Sequence, residues 1–156
     1  MAYHEISASA RIPASASTVY RLIADYRDGH GRILPRPPFE SLEVEKGGYG
    51  DGTIIRVRMK VLGRVRTFRA MVTEPEPGRT LVETNDTGYV TTFVVDPVEG
   101  GREARVTLAS DMRGRGRLRG AIEKLLLGPM LRGTFEKELA LLAGAAAGRR
   151  PAVPGE

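Results

Sequence analysis

Between Phe39 and Ser110 the chain reads as a run of short segments of alternating apolar and polar residues, joined by links too short to cross a sheet. This leaves few folds open to it. The segments are Phe39 to Glu45, Thr53 to Val61, Val65 to Thr73, Thr80 to Asp86, Tyr89 to Asp96 and Ala104 to Ser110. The connections between them carry turn chemistry: Leu62-Gly63, Pro75-Glu76-Pro77-Gly78, Asn85 to Gly88 and Glu99-Gly100-Gly101. Parallel neighbours need crossovers of about a dozen residues or more, so these strands must pair antiparallel. In Thr53 to Val61, residues Ile55, Val57, Met59 and Val61 alternate with Arg56, Arg58 and Lys60, which fixes the inner face. In the next strand, turning Phe68, Ala70 and Val72 inward puts Arg66 on the same face and Val65, Arg69 and Met71 outside.

Helical patterns flank this meander. An opening strand, Ile6 to Ile12, ends at Pro13, and Ser15 or Ser17 caps a helix whose Val19, Leu22, Ile23 and Tyr26 share one face. Gly29 and Gly31 stop it. From Leu118 to Ala143 the chain is helical in composition, but its apolar residues fall on two faces. Leu118, Ala121, Ile122, Leu125 and Leu126 form one, while Leu131, Phe135, Leu139 and Leu142 form another roughly 120° away. The change of phase falls on Gly128-Pro129, where a break or sharp kink is predicted.

Composition narrows the chemistry. The chain has no cysteine and two histidines, His4 and His30, so thiolate chemistry and Cys-based metal sites are excluded. Neither a metal site nor a cofactor is expected. No apolar run approaches the roughly 20 residues that span a bilayer, and MAYHEISASAR lacks the pattern of a secretory signal, so the expected location is cytoplasmic. One domain over residues 1–143 is predicted, followed by a flexible tail, 144–156. The net charge of +5 is concentrated in residues 102–132, where eight Lys/Arg stand against three Asp/Glu.

The stretches ISASARIPASASTVYRLIADY, FRAMVTEPEPGRTLVET and TTFVVDPVEGGREARVTLASD, with the closing helical run, resemble the START and birch-pollen-allergen-like (SRPBCC) superfamily. The type within it is the bacterial polyketide cyclase/dehydrase and lipid-transport protein. This implies an α+β helix-grip fold, a curved antiparallel sheet of about seven strands around a long C-terminal helix. It also implies a largely apolar cavity between them for a small hydrophobic ligand. The side chains predicted to line that cavity are Tyr26, Ile55, Val57, Met59, Phe68, Ala70, Val82, Thr84, Thr91, Phe93, Phe135 and Leu139.

His30, in the loop YRDGHGRILPRPPF that the resemblance brings to the cavity, is a candidate general base with Asp25 or Asp28 to orient it. Arg66 and Tyr89 are further candidates for proton transfer or enolate stabilisation in an aromatase/cyclase-like reaction. Glu83, Asn85 and Asp86 are polar candidates for the cavity or its rim, and an inward Glu83 would supply a partner for Arg66. The run GGYGDG at 47–52 fails as a phosphate loop because Thr53 stands where the last glycine is needed, and it reads as a strand connection at the cavity mouth. In MRGRGRLRG, the candidates Arg113, Arg115, Arg117 and Arg119 would contact an anion or a membrane surface peripherally. No aromatic residue interrupts that run, which argues against nucleic acid as a partner.

Overall fold

The computed structural model describes residues 5–111 and 117–148, with Glu99 and residues 117–126 described in their backbone alone. Strand β1 (Glu5–Ile12) leads through helix α1 (Ala16–Ala24) and a single 3-10 turn (His30–Ile33) into a meander. The meander comprises β2 (Phe39–Lys46), β3 (Ile54–Val61), β4 (Arg64–Glu76), β5 (Thr80–Asn85), β6 (Val90–Val98) and β7 (Glu103–Asp111). Helix α2 (Arg117–Ala146) closes the fold. All seven strands form one antiparallel sheet in the order β1-β7-β6-β5-β4-β3-β2. This curved sheet with its C-terminal helix is the predicted α+β helix-grip architecture.

Alternation explains the sheet. In β3 the inward Ile55, Val57 and Met59 are buried while Arg56, Arg58 and Lys60 face water. Pairing of Ile55 with Ala70, Val57 with Phe68 and Met59 with Arg66 then carries the inner face into β4. The expectation for β5 is corrected. Its inner residues are Leu81, Glu83 and Asn85, because Phe93 pairs with Leu81 and Thr91 with Glu83. Val82 and Thr84 belong to the other face. In the sequence Leu81-Val82 offers an apolar residue to either side, and only the neighbouring strands decide between them.

Helix α1 begins at Ser15, whose Oγ accepts the Thr18 N–H, and buries Val19, Tyr20, Ile23 and Ala24. Tyr26 lies just beyond it. The glycine run at 47–52 does not line the cavity mouth; it latches the end of α1. Tyr26 N–H donates to Gly48 O at 2.8 Å, Gly50 N–H to Ala24 O at 3.0 Å, and Arg27 Nη2 to Gly47 O at 2.7 Å. Glu74 completes the latch, accepting the Tyr20 hydroxyl at 2.6 Å and the Asp51 N–H at 2.7 Å. Gly50 has φ +60°, a conformation that L side chains rarely adopt, and a Cβ there would push the Glu74 carboxylate from its hydrogen bonds.

Helix α2 runs unbroken through Pro129, so of the break or sharp kink expected at Gly128-Pro129 the break does not occur. Proline removes one donor, whereas hydrogen bonds on either side and the packing of the following turns hold the helix together. It also continues to Ala146, three residues past the predicted end. Phe135, Leu139 and Leu142 are buried in the common core with Ile6, Val95 and Val106, and the helix lies against β1, α1 and the 3-10 turn.

Leu142 is 1% exposed, so Leu142→Ala is expected to cost about 3 kcal/mol of stability. At the exposed Ala140 of the same helix, Ala→Ser should cost under about 1 kcal/mol. Urea unfolding of both variants checks this, and similar losses at the two sites would contradict the packing described.

Candidate functional site

Sheet and helix enclose a cavity of about 700 Å³. Ile55, Val57, Met59, Phe68, Ala70, Thr91 and Phe93 line it from the sheet, and Leu127, Met130, Leu131, Phe135 and Glu138 from α2. Its rim is the β3–β4 hairpin, with Leu62 (74% exposed), Arg64, Val65, Arg66 and Thr67. Of the other side chains predicted to line it, Leu139 is buried in the core beside the cavity, and Tyr26 lies behind the wall, 2% exposed. Val82 and Thr84 are excluded by the register of β5.

The polar groups gather at the buried end. His30 is 2% exposed, held by the end of α1, by Tyr26 just beyond it and by Phe93 of β6. Its Nδ1 lies 2.7 Å from the carbonyl of Ile23, which accepts, so the proton of that tautomer sits on Nδ1. Its ring stacks on Tyr26 at 4.3 Å and meets the edge of Phe93 at 5.5 Å. Nε2 then faces Glu83 Oε2 at 3.5 Å. The carboxylate beside His30 is therefore Glu83, not Asp25 or Asp28. Asp25 Oδ1 instead accepts the backbone N–H groups of Arg27 and Asp28, each at 3.1 Å, and Asp28 is exposed.

Tyr26 donates its hydroxyl to Glu83 Oε2 at 2.6 Å. Burial raises the Tyr26 phenol well above its usual pKa, and the neighbouring Glu83 raises it further, so Tyr26 remains a donor. Glu83 thus does not serve as a partner for Arg66, which sits exposed at the rim. Asn85 and Tyr89 line the cavity, whereas Asp86 is exposed and accepts the Arg69 N–H at 3.2 Å. His30, Arg66 and Tyr89 are brought to one cavity, with His30 buried and Arg66 at the opening. Arg113 and Arg115, and the side chains of Arg117 and Arg119, lie outside the described residues.

Sequence reasoning missed Glu138. It is 4% exposed, lines the cavity, and makes no hydrogen bond or ion pair among the described residues. Burial drives its carboxyl well above the ordinary carboxylate range, and the charge of Glu83 adds to the shift. A signal was present. Leu131, Phe135, Glu138 and Leu142 follow 4-3-4 spacing, so the acid occupies a position in the stripe where packing calls for an apolar residue.

Residues 3–147 match the family model described as polyketide cyclase / dehydrase and lipid transport, and the chain belongs to that family. No curated protein sequence matches it. Among solved structures it is similar to the KanY protein, with 25% identity, TM-score 0.80, and 94% of this chain and 99% of that one covered. A protein from Thermus thermophilus is 25% identical, with TM-score 0.70 and coverages of 92% and 97%. The Zhui aromatase/cyclase from a Streptomyces species, 19% identical with TM-score 0.65 and coverages of 97% and 98%, shares the fold. Among the described residues no helix is long and apolar enough to cross a membrane.

The folded protein keeps a proton on Glu138 that the unfolded chain loses as pH rises through the ordinary value of 4.5. Above that pH the unfolded state binds fewer protons, so this group lowers stability progressively as pH rises. Facing it are Glu83 from β5, with Tyr26 and His30 behind. Glu138→Gln is expected to raise the melting temperature, more at pH 8 than at pH 5. Parallel pH profiles for the two proteins would contradict this account.

Proposed function

We propose that this chain binds a small hydrophobic or amphipathic molecule between the sheet and α2, and does so in the cytoplasm. The observation that carries this is the cavity of about 700 Å³, a volume suited to a small ligand, whose walls are mostly apolar and whose polar groups collect at one end. Membership of a family described by lipid transport supports the same reading. Burial of an apolar body supplies affinity and the polar end fixes orientation. Native mass spectrometry of the expressed protein, with extraction of bound apolar molecules, tests it. Ala70 is 3% exposed at the cavity wall, so Ala70→Phe should fill the space and reduce binding about tenfold or more while the fold persists. A wild-type protein that takes up no apolar ligand would sink the reading.

A second reading, an aromatase/cyclase-like enzyme acting on a polyketide-type intermediate, is favoured by the convergence of His30, Arg66 and Tyr89 on one cavity. In it the cavity folds the substrate, His30 moves a proton at Nε2 with Glu83 and Tyr26 behind it, and Tyr89 or Arg66 stabilises an enolate oxygen. His30→Gln should then abolish turnover of a poly-β-ketone thioester yet leave its binding within about threefold of wild type. Absence of turnover by the wild-type protein leaves the carrier role standing alone.

A further inference from the structure

Two carboxyl groups from different elements, Glu83 on β5 and Glu138 on α2, line the same cavity, and neither meets an Arg or Lys among the described residues. The arginines of the cavity, Arg64 and Arg66, are at the exposed rim. Pairing of Glu83 with Thr91 and of Thr91 with Ser110 sets a row of oxygen-bearing side chains across three adjacent strands of the inner face. Thr91 Oγ1 and Ser110 Oγ lie 3.4 Å apart. Glu138, 4% exposed, makes no hydrogen bond with another described residue and lines the cavity, where its carboxyl is open to a group that enters. A donor carried in by a ligand would supply that bond.

We propose that this end of the cavity is a subsite for a protonated amine carried on a mainly apolar molecule. The inference rests on the cavity being a ligand site, and it names the head group. An ammonium has three donors and no acceptor, which complements a floor built from two carboxyl groups and two hydroxyls. Its positive charge lets Glu138 ionise beside Glu83, in a setting where low dielectric strengthens each charge-assisted hydrogen bond. The aromatic rings of Phe93 and Phe135, on opposite walls, extend the cation-binding character of the site. A ligand carboxylate would be repelled, and an alcohol would lose the ionic part of the interaction. A neutral amine entering the cavity takes the proton from Glu138, leaving ammonium and carboxylate as an ion pair with no other change in charge.

Isothermal titration with decylamine, decanol and decanoate, three heads on one apolar chain, tests this. The expected result is that the wild-type protein binds decylamine at least about tenfold more tightly than decanol and binds decanoate most weakly. Glu138→Gln should remove most of the preference for the amine over decanol, with thermal melts confirming that the variant folds. Should that variant not fold, Glu138→Leu gives the same comparison with an apolar side chain at this helix position. Equal or tighter binding of decanol by the wild type overturns the amine subsite alone, as does an amine preference that survives loss of the Glu138 carboxyl. If none of the three ligands binds, the ligand-site reading falls and the subsite with it.

Discussion

The inner face of the sheet has a fixed parity, and almost every property of the cavity follows from it. Once Ile55, Val57 and Met59 of β3 turn inward, the antiparallel ladders allow no independent choice in the neighbouring strands: Phe68 and Ala70, then Leu81 and Glu83, then Thr91 and Phe93, and finally Leu108 and Ser110 must follow. An acid on that face of β5 is therefore a consequence of register. It is tolerated because Tyr26 and His30 reach it. On the opposite face the same parity gathers exposed ion pairs such as Arg58 with Glu40 and Arg79 with Asp96. Pairs of that kind stabilise weakly, about 0–1 kcal/mol each, so their value lies in keeping that face wet.

Tyr26 and His30 reach Glu83 only because the chain after α1 is held in place. The glycine run at 47–52 grips the end of the helix through main-chain hydrogen bonds, and Glu74 ties Tyr20 to that loop. Loop, helix end and the half-buried Glu83 carboxylate thus form one connected assembly. A side chain in the cavity is oriented by backbone some distance from it, as sites supported by a second layer of contacts generally are.

The antiparallel meander, its short links and the first helix were legible in the sequence because each depends on local patterning: alternation in β3, a serine cap before Val19, turn residues between strands; the seat of β1 beside β7 was not. Three further features were not. The parity of β5 was hidden by adjacent Leu81 and Val82, and it is decided by partners elsewhere in the chain. The continuity of α2 through Pro129 reflects tertiary support that propensity does not contain. Glu138 is hidden because it sits inside an apolar stripe whose spacing is set by Leu131, Phe135 and Leu142, a place where a fold gives up packing for chemistry. Likewise His30 was recognised as a candidate, but its partner Glu83 lies 53 residues away, beyond any local pairing with Asp25 or Asp28.

Strand β1 pairs with β7, so that Glu5 lies opposite Asp111. The two strands are separated by roughly a hundred residues of sequence, so β1 lacks its partner in the sheet until that long loop closes. Closing so long a loop costs entropy before any of its contacts form, and folds dominated by such pairings form slowly. During that interval the meander can assemble strand by strand from local hairpins, whereas β1 presents an open edge. Helix α2 packs on β1. The edge strand and the helix that covers the sheet therefore support one another, and the cavity depends on contacts between segments far apart in sequence.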